Sequence, residues 1–87
     1  MPFDLDFSEK LKEKVKRLEK KDKPLALRLH KKVKEIINRD NTTIDSYKNM
    51  SYGMSNKKEV HIGHFVLTFQ VFKEKNLILF DDFFHHA

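Results

Sequence analysis

Cysteine is absent from this chain of 87 residues. That excludes a disulfide framework and any thiolate metal site, and it suits a reducing compartment. Also missing is any apolar run near the roughly 20 residues that a membrane helix needs. The opening residues, Met1-Pro2-Phe3-Asp4-Leu5-Asp6, alternate and are acidic, unlike a signal peptide. The expectation is a soluble, cytoplasmic protein with no membrane association. Internal repeats, linkers and low-complexity tracts are missing too, so residues 1–87 are expected to form a single domain whose modest core can fold alone.

Arginine is scarce. Of 18 Lys and Arg only Arg17, Arg28 and Arg39 are arginine, against 13 Asp and Glu, for a formal charge of +5. The excess favours anionic partners: nucleic acid, an acidic protein or a membrane surface. Lysine supplies diffuse attraction to phosphate, whereas arginine supplies bidentate recognition. A lysine coat that only maintains solubility has the same composition, so charge does not decide between them.

The apolar residues are ordered in two periods. Phe3, Leu5 and Phe7 alternate with Asp4 and Asp6, as in a half-buried strand. Ser8 is placed to cap a helix, with Glu9 in its first turn and Leu11, Val15 and Leu18 as its stripe. Lys20-Lys21-Asp22-Lys23 breaks that pattern, and Pro24 marks the first turn of a second helix capped by Asp22 or Lys23. Its stripe is Leu25, Leu29, Val33, Ile36 and Ile37, ended by Asn38 to Asn41. Near residue 45 the period falls to two. Tyr47 to Met50 reads as a short strand and Ser51-Tyr52-Gly53 as a turn. A strand follows from Lys58 to Ile62 and another from Phe65 to Phe72, with Phe65, Leu67, Phe69 and Val71 toward the core. Lys73-Glu74-Lys75-Asn76 makes a hairpin turn into a last strand from Leu77. The predicted fold is α+β: an N-terminal strand, an antiparallel two-helix hairpin, then a twisted antiparallel sheet of three to four strands.

Four of the five histidines, His61, His64, His85 and His86, fall on those last strands. Imidazole exchanges protons near neutrality, so their clustering on a basic protein points to an acid/base site facing a polyanion. His61 lies between Val60 and Ile62, so alternation turns it away from the core. A solvated strand histidine fits that position equally well, and His64 in a turn reads as structural. Only one of His85 and His86 can face the cleft, and only one of Phe83 and Phe84 can face inward. The other phenylalanine is free to stack on a base or meet a partner. His30, on the second helix, reads as surface. Zinc on His61-x-x-His64 with His85 or His86 is the rival use, but no carboxylate ligand is placed for it, so no metal or other cofactor is expected.

The order of these segments resembles the RelE/ParE toxin superfamily, the small basic toxins of toxin–antitoxin pairs. The likeness spans nearly the whole chain: the opening strand with Phe7-Ser8-x-Lys10-Leu11, Lys20-Lys21-Asp22 before the second helix, Gly63-His64-Phe65-Val66-Leu67 at the family's Gly-x-Tyr-Arg-Leu segment, and the closing hairpin. His61-Ile62 and His86 are similar to the two histidine positions of the YafQ-like branch, one before the long strand and one after the last. The resemblance implies a ribosome-dependent mRNA endonuclease. His86 would be the general acid and His61 the base or a phosphate-orienting group. Lys57 and Lys58 would bind phosphate, with His64 and His85 as further RNA contacts. It also implies an acidic antitoxin as partner, beside mRNA on the ribosome.

The chain departs from the pattern in three places. The family's strand arginine falls at Val66, the acidic residue after the His-Ile pair is missing, and the sequence stops at Ala87, so that the aromatic commonly following the final histidine is either lost by truncation or its absence impairs catalysis. These departures keep a second reading open: a non-catalytic or ParE-like member that binds an antitoxin, a protein target such as DNA gyrase, or both.

Overall fold

In the computed structural model, which describes residues 2–49 and 57–86, strand β1 (Asp4–Phe7) leads directly into the first helix. Ser8 makes that junction. Its backbone N–H donates to the Phe80 carbonyl at 2.9 Å, its hydroxyl donates to the Asp81 carbonyl at 2.5 Å, and its Oγ accepts the Leu11 N–H at 3.1 Å. One residue thus ends the strand, caps the helix and fixes both to the last strand.

Helix α1 (Glu9–Lys21) and helix α2 (Lys23–Ile37) are separated by Asp22 alone. Its N–H donates to the Leu18 carbonyl at 2.8 Å, closing α1, and its carboxylate accepts the Leu25 N–H at 3.2 Å, opening α2. Asp22, rather than Lys23, is the cap, because its short acidic side chain can reach back to a first-turn amide. Leu11 and Val15 from α1, with Leu25, Ala26, Leu29, Val33 and Ile36 from α2, are buried against the sheet. Leu18 and Ile37 flank that core half-buried.

After α2, Asp40 organises the chain by accepting the N–H groups of Thr42 and Thr43 and both their hydroxyls. Those four donors, the Thr42 hydroxyl foremost, hold its carboxyl far below the ordinary aspartate range. A single 3₁₀ turn over Thr43–Ser46 then buries Ile44. The short strand β2 (Lys48–Asn49) lies within the span expected for it. Met50 and the expected turn at Ser51-Tyr52-Gly53 lie outside the described residues.

Strands β3 (Lys57–Ile62), β4 (Phe65–Phe72) and β5 (Leu77–His85) form the body of the sheet. Its order is β1-β5-β4-β3-β2. The pairs β2–β3, β3–β4 and β4–β5 are antiparallel, as expected, while β1 joins the far edge parallel to β5, with Asp4 opposite Leu77 and Phe7 opposite Phe80. The five-stranded sheet is therefore mixed. Alternation within Asp4–Phe7 identified a strand but carried no information on its direction, which the two-helix crossover decides. At this edge Leu5 stays 47% exposed, although Phe3 is buried and Phe7 packs on Phe80 with ring centroids 5.5 Å apart.

Leu67, Phe69 and Val71 of β4 pack into the helix-side core as expected, with Phe65 half-buried at its margin. The opposite face of β4 is drier than its polarity implies: Val66 is 1% exposed. In a central strand, small outward side chains are walled in by both neighbours. The hairpin turn after β4 is a 3₁₀ turn over Lys73–Lys75, closed by Asn76 at φ 52.

Candidate functional site

Three local devices build the end of the sheet that carries the histidines. The first is the Gly63-His64 turn between β3 and β4, where Gly63 holds φ +60. A residue with a side chain is strained there, and glycine is not. The second is a register shift in β5: Phe69 pairs with Phe80 but Thr68 with Asp82, so Asp81 is an extra residue.

The third is an anchor at Asp82. Its carboxylate accepts Lys14 Nζ at 2.7 Å, Lys10 Nζ at 3.4 Å and the Phe83 N–H at 2.8 Å, and Lys14 also donates to the Phe83 carbonyl at 3.1 Å. Burial works to raise the Asp82 carboxyl, but the Lys14 bond, the Phe83 amide and the lysine charges outweigh it, leaving its pKa lowered. β1 ends opposite Phe80, so beyond it the edge of β5 away from β4 is held by lysines of α1 instead of a strand.

On this frame the histidines divide into two pairs. His61 and His86 have ring centroids 5.3 Å apart, tilted by 54°. His86 is exposed but fixed, because its N–H donates to the His64 carbonyl at 2.7 Å. His64 and His85 lie 6.3 Å apart, and His85 sits edge-on to Phe65 at 5.2 Å. His85 alternates with buried Phe83, which stacks on Phe65 at 5.0 Å, and so lies on the helix side of the sheet. His61 alternates the other way, with Lys57 and Glu59.

The structure therefore brings together the two histidines that the family resemblance singled out, and it sets His64 and His85 apart from them. The four do not converge on one point. Among the described residues no group of three or more His, Asp or Glu side chains is arranged to hold a metal ion. His30 pairs with Glu19 at 3.2 Å, away from this end.

The two lysines expected at phosphate part company. Lys57 opens β3 opposite Gln70 on the same face as His61, and four residues along a strand place it roughly 13 Å away. Between them Glu59 pairs with Lys48 at 3.4 Å. Lys58 corrects the sequence reading. It is 2% exposed, and its ammonium donates to Asn49 Oδ1 at 2.7 Å and the Tyr47 carbonyl at 3.4 Å, with Asp45 at 3.6 Å. Alternation turns it to the opposite face from Lys57, where it ties the segment before β2 onto the sheet. Its charge is spent inside the protein.

Val66 stands in register between His61 on β3 and Phe84 on β5, making a row across the outer face. The two phenylalanines separate as alternation requires: Phe83 is buried, and Phe84 is 38% exposed beside Val66. Sequence reading missed Arg28 of α2, which lies against the Gly63 turn and lines the hollows on both sides of it. Its rarity as one of three arginines was the available signal, but no helix period shows which strand turn a helix residue meets.

No protein-family model matches this chain, and no curated protein matches it significantly. Solved structures do match. The chain superposes on the isolated E. coli RelE toxin with a TM-score of 0.80 and 21% identity, covering 98% of this chain and 85% of that one. A chain of the intact E. coli RelBE toxin–antitoxin complex matches at TM-score 0.74 and 22% identity, over 98% and 96%. An E. coli RelE double mutant in complex with an antitoxin RelB peptide matches at 0.71 and 26%, over 100% and 85%. The fold is that of the E. coli RelE toxin.

Proposed function

We propose that this chain is the toxin of a type II toxin–antitoxin pair and acts as a YafQ-like endoribonuclease on ribosome-bound mRNA. The observation that carries the reading is the pairing of His61 and His86, from different strands, at 5.3 Å between ring centroids. That spacing lets both imidazoles touch one phosphodiester. A neutral His61 takes the proton of the 2′-hydroxyl as its oxygen attacks phosphorus. His86, as imidazolium, gives a proton to the departing 5′-oxygen. The bond from phosphorus to the 5′-oxygen breaks, leaving a 2′,3′-cyclic phosphate and a 5′-hydroxyl. Lys57 on the same face draws the backbone in, and half-exposed Phe84 offers a surface for a base.

The partner in this reading is an acidic antitoxin, by analogy with the E. coli neighbours solved with theirs. The test is purified protein added to ribosomes carrying a defined message, with the new RNA ends mapped. Cleavage of the ribosome-bound message that leaves cyclic phosphates supports the reading, and intact message with folded protein present overturns it.

One observation favours the second reading, a ParE-like or non-catalytic protein. Val66 puts a buried apolar side chain where the resembling toxins carry a phosphate-binding arginine, which leaves that row without a phosphate ligand. Inhibited gyrase with undamaged translation would select it.

A further inference from the structure

Gly63 is favoured by its backbone and closely approached by a side chain. Besides its φ of +60, a Cβ built on it would lie 3.2 Å from Arg28 Nη1 and 3.3 Å from Nη2, tighter than ordinary contact. The guanidinium therefore uses the missing side chain to close on the β3–β4 turn. This places it on the seam between two open hollows. One is lined by His64, His85, Phe65 and Leu25 with Asp22 at its side, the other by His61, Lys31 and Lys32 with Glu35. Each holds only about 290 and 280 Å³ respectively, at the small end for binding sites, which suits a phosphate and one base rather than an enclosed cofactor.

The charges around Arg28 show why it matters. Of the cations lining the second hollow, Lys32 is engaged by Glu35 at 3.1 Å, while Lys31 and Arg28 make no ion pair with any described residue. Arg28 is exposed and lines the hollow of His64 and His85 as well as that of His61. A guanidinium offers a planar fork of N–H donors that suits two oxygens of one phosphate, and an ammonium does not. A free fork, an aromatic edge at Phe65 and His85, and imidazoles on either side are what one nucleotide step of an RNA strand would meet.

We infer that Arg28 binds a phosphodiester of the RNA strand beside the one held at His61 and His86, so that the strand crosses the Gly63 turn from one hollow to the other. This rests on the endoribonuclease reading but concerns binding, and its guanidinium comes from a helix rather than from the strand position now filled by Val66. Arg28 is a substrate-binding residue here, with no proton to transfer.

The test is NMR titration of the full chain with a short RNA whose central 2′-hydroxyl is replaced by hydrogen, so that it binds without being cut. Saturating shifts are expected at the Arg28 Nε–H and the Gly63 N–H. Arg28→Ala should weaken binding tenfold or more and reduce the salt dependence by about one counterion, while Arg28→Lys restores the salt term and not the full affinity. Gly63→Ala should weaken binding with the total charge unchanged, provided its thermal unfolding shows a folded chain. Wild-type affinity and salt slope in folded Arg28→Ala overturn the inference, whether or not the protein cleaves RNA. Arg28-dependent binding by a chain that leaves ribosome-bound message intact sinks the cleavage reading alone.

Discussion

The backbone N–H of His86 donates to the carbonyl of His64 at 2.7 Å, and this bond sets His86 against His61. It extends the β4–β5 ladder one step beyond the last regular pair, Phe65 with His85. A residue near a chain end ordinarily frays, yet here it is held at a turn whose other side carries Arg28.

If the two imidazoles divide proton removal and donation, each has a separable signature. His61→Ala and His86→Ala should each lower the rate of message cleavage by roughly 10²–10⁴-fold. Both side chains are exposed, so their melting temperatures should stay close to the parent's. Combining the two changes should cost less than the sum, because both serve one step. Cleavage rates and thermal melts on the same preparations check this, and additive losses would show that the histidines act separately.

Adjacent lysines should fail in opposite ways. Lys57→Ala should leave stability unchanged, weaken RNA binding uniformly across sequences and lower the salt slope by about one. Lys58→Ala leaves Asn49 Oδ1 and the Tyr47 carbonyl without their donor, while Asp45 keeps Lys73, and should lose about 1–3 kcal/mol of folding stability. RNA affinity of the Lys58 variant, measured where it is still folded, should match the parent. Denaturant unfolding beside RNA titration separates them.

Asp82 should make the fold sensitive to acid. Its carboxyl is lowered from 3.8 in the folded chain, so its stabilisation is fully present above the unfolded value and is lost as pH falls through the folded one. Asp82→Asn should therefore cost about 1–2 kcal/mol at neutral pH, and the gap to the parent should close as pH drops below about 4. Since Asp82 holds the segment that ends at His86, the variant should also lose amide protection at Phe84 to His86. Denaturation at stepped pH, with hydrogen exchange, is the measurement.

An acidic antitoxin should bind through charge as well as apolar contact. Exposed Leu27 and Leu5 offer apolar anchors, and the +5 chain offers the field. The association rate should fall several-fold from low to physiological salt while dissociation changes little. Stopped-flow mixing with the protein encoded by the neighbouring gene checks it, and a salt-independent rate would remove the electrostatic part.

The elements were legible in the chain because their signals are local. Helical spacing of Leu11, Val15, Leu25, Leu29, Val33 and Ile36 marked two helices, Ser8 and the pair Asp22-Lys23 marked their starts, and alternation through Lys58–Ile62 and Phe65–Phe72 marked the long hairpin. The pairing of His61 with His86 was legible only through likeness to a known pattern, since 25 residues of sequence separate them. Tertiary structure alone decided the rest. Whether β1 ran parallel or antiparallel to β5 depended on the path of two helices. Lys58 and Lys57 look alike in sequence and differ because a strand turns successive side chains to opposite faces, one of which is closed by the helix layer. Arg28 met Gly63 because packing α2 on the sheet brought a helix surface to a strand turn. Local patterns report how a residue relates to its neighbours in the chain. Which distant groups share one cleft is settled when the apolar faces are buried together.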